Sequence, residues 1–246
     1  MQVITIAIQK GGTGKTTTAA ALAQAAVYNG RRVLAIDLDP QGQLSFTLSA
    51  DTGRPGSYEL LNGADIKKII QCIRPGLDAI PASWNLSTIT TGRGSARRLQ
   101  IGIKPIKKEY DVIIIDTPPT AGELQYNALQ ASTGLIIPLQ ADIYNLQSLY
   151  QIVDTARQIQ GSNPGLSIMG FVLTQFDGRS TIARQMKEAI TEKAAEMDIP
   201  FLGAIRSAVV VKEAAALQQS LFEYAPKSKP AADYLDLYEM IEKQEV

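Results

Sequence analysis

Val3-Ile-Thr-Ile-Ala-Ile-Gln-Lys-Gly-Gly-Thr-Gly-Lys-Thr16 decides the fold. A β-rich run over residues 3–9 passes into a glycine-rich turn. The turn ends in Gly-Lys-Thr, and an alanine-rich helix is expected over residues 16–28. A glycine string in that context is a phosphate cradle. Glycines let backbone amides converge on phosphate oxygens. The helix N-terminus adds its dipole to the same anion. Lys15 is expected to reach the β- and γ-phosphates, and the Thr16 hydroxyl to ligate Mg²⁺. The plainer reading, a turn that only joins strand to helix, does not explain the Gly-Lys-Thr ending.

Outward from this loop the pattern repeats as strand and helix. Residues 32–37, 77–81, 112–115, 135–139, 167–173 and 201–205 read as strands. Residues 124–131, 146–159, 181–197 and 230–243 read as helices, with Pro230 at the start of the last. Gly30 stands where a helix C-terminal cap belongs. The unbroken β-branched run 112–115 suits a strand buried on both faces of a parallel sheet. Alternating strands and helices predict an α/β protein: a P-loop fold, a mostly parallel sheet with helices on both faces, and one domain over 1–246. Residues 49–63 read as a surface excursion and 83–95 as a second irregular stretch.

Three aspartates end predicted strands. Asp37 and Asp39 lie in Asp37-Leu-Asp-Pro-Gln-Gly42, and Asp116 in Asp116-Thr-Pro-Pro119. Ligands of open parallel sheets bind beyond the carboxyl ends of strands, so all three are expected beside the phosphate loop. Asp116, after its apolar run, has the setting of a Mg²⁺-holding carboxylate. Asp37 and Asp39 could instead be strand-end turn or cap residues.

Composition narrows the chemistry. The 246 residues include 24 Lys plus Arg, 24 Asp plus Glu, no His, and one Cys, Cys72. The missing histidine excludes a Ser-His-Asp triad, a histidine base and a histidine metal site. One thiol makes neither an internal disulfide nor a zinc site, which fits a reducing cytosol. A bridged iron–sulfur cluster is disfavoured as well. Balanced charge does not announce a nucleic-acid binder, so DNA binding would need a local basic patch. No run approaches the roughly 20 apolar residues of a membrane span. A cytoplasmic protein is expected.

A second lysine, Lys10, opens the string Lys10-Gly-Gly-Thr-Gly-Lys-Thr16. Here the chain resembles the deviant Walker A ATPases of the ParA/MinD group. Asp37-Leu-Asp-Pro-Gln-Gly42 is similar to that family's switch I, and Asp116-Thr-Pro-Pro119 to its switch II. Ile137-Pro-Leu-Gln140 with Tyr144-Asn-Leu146, and Phe171-Val-Leu-Thr-Gln-Phe-Asp177, extend the likeness, which looks closest to the short ParA proteins of plasmid and chromosome partition. The resemblance implies an ATPase whose cofactors are ATP and Mg²⁺. Gly11, Gly12, Thr13, Gly14, Lys15, Thr16 and Thr17 would bind the nucleotide, with Thr174 near the adenine. Lys10, Lys15 and Asp39 would be catalytic, Lys10 acting across a homodimer on the partner's ATP and Asp39 positioning the attacking water. Thr16, Asp39 and Asp116 would surround the metal, with Asp37 in support.

The same resemblance implies an ATP-closed dimer that binds DNA nonspecifically, a ParB-like stimulating protein, slow intrinsic turnover, and nucleoid association. No helix-turn-helix extension precedes the first strand, so operator binding is not expected. Ile205-Arg-Ser-Ala208 stands where relatives carry an Ile-Pro-Arg-Asn-like string, and Val210 falls at their DNA-contacting arginine, with Lys212 two residues on. Two basic stretches remain. One is Arg93, Arg97, Arg98, Lys104, Lys107 and Lys108; the other is Arg179, Arg184 and Lys187. Each could track a phosphate backbone or form a solvated helix face. A MinD-like membrane switch is the alternative, but the polar face of the C-terminal helix is mainly acidic, and anionic lipid would repel it. A third possibility is a positioning or regulatory ATPase that works through a protein partner.

Overall fold

Alternate residues of the central strands belong to opposite faces of one sheet. On the strand Gln2–Ile6 (β1), Ile4 and Ile6 join the core on one face and Val3 joins the core on the other. Such two-sided burial is what a parallel sheet covered by helices requires. A computed structural model of the chain describes residues 1–89, 95–142 and 144–244.

After β1 come α1 (Lys15–Tyr28), β2 (Val33–Asp37), α2 (Gln43–Thr47), α3 (Ser57–Leu61), β3 (Gln71–Arg74) and β4 (Leu77–Ile80). The middle of the chain holds α4 (Arg98–Gly102), β5 (Val112–Asp116), α5 (Glu123–Ala131), β6 (Gly134–Leu139) and α6 (Tyr144–Gln160). It closes with β7 (Ser167–Phe176), α7 (Thr181–Ala195), β8 (Phe201–Arg206), α8 (Val209–Ala216), α9 (Leu221–Tyr224) and α10 (Lys229–Glu242). Among the described residues, eight strands form one sheet in the order β3-β4-β2-β5-β1-β6-β7-β8. Neighbours pair in parallel except β3, which runs antiparallel to β4 at the edge.

Helix α1 is almost all alanine where it meets the sheet. Ala19 to Ala26 are buried against Ile4, Val33 and Ile114 on one side, and α10 closes over them with Tyr234, Leu237, Tyr238 and Ile241. Small side chains allow helix, sheet and second helix to approach closely. On the other face α5 and α4 cover β2 and β5 through Ala128, Leu99 and Ile103, while α6 and α7 cover β6 and β7 through Leu149, Ile152 and Ile190.

Each predicted strand and helix is present with ends shifted by a few residues, and Gly30 follows α1 with φ 76°. Two departures have physical causes. Residues 49–63 are not a mere excursion: they contain α3, whose Leu60 and Leu61 are buried. The Glu59 carboxylate accepts from the Gly56 amide at 2.7 Å and closes its first turn. Strand β3 was not foreseen because an edge strand of four residues carries little periodic signal. The three valines at 209–211 open α8, and the Val210 and Val211 side chains pack on the core.

Candidate functional site: the phosphate loop and its carboxylates

Register brings the strand-end acids together. Asp116 on β5 stands beside Ile6 on β1 and beside Asp37 on β2. The loop 10–14 leaves β1 at this point and enters α1. Its two left-handed glycines, Gly12 at φ 75° and Gly14 at φ 83°, turn the chain so that α1 begins at Lys15. No other residue type takes that backbone at so little cost. A side chain at Gly11 or Gly12 would meet nothing within 4 Å, so the loop's outer face is open to a ligand. Gly14 lies against Thr174, 3.3 Å from where a Cβ would stand.

Lys15 is buried, and its Nζ donates to the Lys10 carbonyl at 2.8 Å. Burial lowers its pKa, while the Asp116 and Asp39 carboxylates pull the other way. Lys10 sits at the loop's rim, half-exposed, its Nζ 3.4 Å from the Asp142 carboxylate. The two lysines therefore occupy different places: one inside the cradle, one beside it. Thr13 is fully buried, while Thr16 and Thr17 lie half-buried on the first turn of α1.

Asp116 is fully buried. Its Oδ1 accepts from the Thr117 amide at 3.0 Å, and its Oδ2 has no hydrogen-bond donor among the described residues. Burial pushes its pKa well up and the Asp37 charge adds to this; Thr16 and Lys15 oppose both. An unpaired buried carboxylate oxygen is costly unless a cation meets it. Beside the Thr16 hydroxyl it fits a metal ion. Among the described residues no three His, Cys, Asp or Glu side chains gather as a metal cage. Mg²⁺ keeps waters and phosphate oxygens as ligands and takes few from protein.

Asp37 has a different occupation. Its Oδ1 accepts from the Asp39 amide at 3.0 Å, and its Oδ2 accepts from the Ser45 amide at 2.8 Å and hydroxyl at 2.7 Å. Burial pushes its pKa up to about 6 against these bonds. Both oxygens are engaged, so Asp37 shapes the loop 37–45, a turn role, and its place in a metal shell has no support here. Asp39, buried at the same rim, accepts from the Gln41 amide at 3.0 Å through Oδ1.

Thr174 lies behind the loop. It is 3% exposed, and its hydroxyl reaches the Thr13 carbonyl at 2.7 Å and the Leu139 carbonyl at 3.2 Å. That geometry makes it a support of the phosphate loop, and no base contact follows from it. Sequence reasoning missed Ser45, Gln140, Asp142 and Gln175. An acid soon after the β6 end was a visible signal for Asp142. Ser45 and the two glutamines are ordinary polar residues whose contacts exist only in three dimensions.

The basic stretches are dispersed. Arg93 lies outside the described residues. Arg97, Lys104, Lys107 and Lys108 are exposed, while Leu99, Ile103 and Ile106 between them are buried, the pattern of a solvated face. Arg179 pairs with Asp177 at 3.1 Å, Arg184 donates to the Gly178 carbonyl at 2.9 Å, and Lys187 lies 5.1 Å from the Phe201 ring centre. Arg206 is tied to Asp233 of α10. The apolar face of α10 is buried, as expected for a helix packed on the body. No helix among the described residues is long and apolar enough to cross a membrane.

This loop, this pair of lysines and these strand-end acids define a nucleotide-hydrolysing P-loop protein. Residues 1–168 match the family described as an AAA domain. The chain is 36% identical over 245 residues to the sporulation initiation inhibitor protein Soj of Bacillus subtilis, covering 96% of both. It is 33% identical to the chromosome-partitioning ATPase Soj of Thermus thermophilus, covering 97% of this chain and 94% of that one. Its fold matches the septum site-determining protein MinD of Pyrococcus horikoshii, complexed with Mg-ADP, with TM-score 0.82, 28% identity and coverage of 98% and 96%. The chain belongs to the ParA/MinD family of ATPases.

Proposed function

We propose that the protein is a ParA-type dimerisation switch that binds Mg·ATP, closes into a homodimer, and in that state binds DNA nonspecifically to partition a plasmid, mobile element or chromosome. It acts as one domain over 1–246 in the cytoplasm, associated with the nucleoid. The observation that carries this reading is the division between the lysines. Lys15 Nζ lies in the cradle of its own chain, while Lys10 Nζ lies at the rim 3.4 Å from the Asp142 carboxylate, which supports a role for Lys10 towards a facing subunit. A cation there stabilises charge developing on transferred phosphoryl oxygens.

Gly11, Gly12, Thr13, Gly14, Lys15, Thr16 and Thr17 hold the phosphates. Thr16, Asp116 and Asp39 would hold Mg²⁺, which would supply positive charge against the phosphates. Asp39 orients the attacking water, since a loose transition state needs positioning more than a strong base. Turnover is slow alone and rises when a ParB-like protein completes the site. Relatives named for chromosome partitioning support this reading.

The second reading, action through a protein partner instead of DNA, is favoured by one surface. Val210 packs on the core where relatives carry the DNA-contacting arginine. Beside the Pro40-Gln-Gly42 turn, exposed Phe46 and Trp84 border a hollow of about 470 Å³. The experiment is binding to a nonspecific duplex with ATP, with ADP and without nucleotide across a salt series. Partition predicts binding that needs ATP and weakens steeply with salt. No DNA binding in any state, with the ATP-dependent dimer intact, selects the protein-partner reading.

A further inference from the structure

A loop that turns its amides inward to an anion turns its carbonyls outward, and those carbonyls need donors of their own. The Gly12 carbonyl has two. Gln140 Nε2 donates to it at 2.9 Å and Gln175 Nε2 at 3.1 Å. The two glutamines come from the ends of neighbouring strands, β6 and β7, and the Thr174 hydroxyl takes the next carbonyl, that of Thr13. Gln140 is itself held, its own carbonyl accepting from Asn145 Nδ2 at 3.0 Å.

The backbone at Gln175 adds an independent sign. Opposite β8, Leu173 pairs with Ala204 and Phe176 with Arg206, so β7 carries one extra residue between these pairs. Such a bulge re-aims a side chain, and bulges recur beside active sites. Within this stretch Gln175 has φ 51°. Glycine or asparagine would take a left-handed backbone more easily. A glutamine kept there at a cost in backbone strain implies work for its side chain.

We propose that Gln140 and Gln175 are positioning residues that clamp the Gly12 carbonyl from two strands and so preset the phosphate cradle before the nucleotide arrives. The proposal rests on the reading of residues 10–17 as that cradle. Neither glutamine touches the reacting atoms. Their contribution is to fix the direction of the peptide groups that meet the phosphates, which lowers the ordering cost of binding.

The substitution Gln175→Gly separates this role from plain structural support. It removes one donor and relieves the left-handed strain. Melting temperature and the dissociation constants for Mg·ADP and Mg·GDP are measured for wild type, Gln175→Gly, Gln140→Ala, the double variant and Lys15→Ala. Each single glutamine variant is expected to bind Mg·ADP about three- to tenfold more weakly, the range one hydrogen bond supports. Gln175→Gly is expected to melt no lower than wild type and to keep the preference for ADP over GDP. The KM for ATP rises by the same factor with kcat little changed. Wild-type affinity in the double variant overturns the clamp, and the cradle reading survives that result if Lys15→Ala still loses binding. Retained affinity in Lys15→Ala overturns the cradle reading and the clamp with it. An altered ADP-to-GDP preference in Gln175→Gly also overturns the clamp, because it assigns Gln175 to the base.

Discussion

The centre of the sheet's carboxyl rim and the basic stretches near its flanks are built on opposite terms. At the centre, Lys15, Asp37, Asp39 and Asp116 are buried; Lys15 Nζ and both Asp37 oxygens are hydrogen-bonded, and Asp116 Oδ2 has no donor among the described residues. On the flanks, Arg97, Lys104, Lys107 and Arg179 stand in solvent, and the pairs they make are exposed. Burial makes each central charge expensive, so each must have a purpose. Exposure makes each flanking charge cheap, so its presence alone says little. Chemistry is therefore readable at the centre, while the flanking charges do not by themselves name a partner.

The hardest way to break this contrast is to remove the central cation. Lys15→Ala is expected to weaken nucleotide binding by about 100-fold or more, since a buried charge-assisted contact to phosphate is lost. Titration with a fluorescent ADP analogue reads this directly, and near-wild-type affinity would remove Lys15 from the cradle. Next comes Asp39→Ala, with hydrolysis reduced about 100-fold while ATP affinity stays within a few-fold of wild type. Single-turnover rates with bound ATP distinguish the two effects; unchanged turnover excludes Asp39 from the mechanism.

Ser45→Ala sharpens the contrast through Asp37. It removes one donor to a buried carboxylate and the acceptor for the Ala82 amide at 2.9 Å. A loss of about 1–3 kcal/mol in unfolding free energy is expected by denaturant titration. No loss would mean that the loop 37–45 is held by other contacts. The smallest effect belongs to the flanks. Arg179→Ala is expected to leave nucleotide binding intact and to reduce the salt slope of DNA binding by about 1, whereas Lys104→Ala leaves the slope unchanged. The reverse result would move the DNA surface to the α4 side.

Legibility in the sequence follows the same division. The phosphate loop is legible because glycine takes the left-handed backbone at positions 12 and 14 at least cost, and the apolar run before Asp116 is legible because a central parallel strand needs apolar side chains on both faces. The strand–helix alternation carried the sheet for the same reason. Asp37 was legible as a strand-end acid and illegible in its task, because its partners come from Ser45, on the far side of a turn. Helices α3 and α4 were hidden by length, since five residues span little more than one turn. Gln175 looked ordinary, because a bulge is a property of two strands and cannot be read from one. Val210, expected to fall where relatives carry an arginine, is a partly buried side chain packed on the core.

On the proposed reading, Lys10 belongs to the partner's site. The direct measurement is the mass in solution of Asp39→Ala, and of Asp39→Ala combined with Lys10→Ala, each with Mg·ATP and with Mg·ADP, by analytical ultracentrifugation. A dimer is expected for Asp39→Ala in Mg·ATP and a monomer in Mg·ADP, with the dimer lost when Lys10 is also replaced although ATP still binds. A monomer in Mg·ATP, or a dimer indifferent to Lys10, would contradict it.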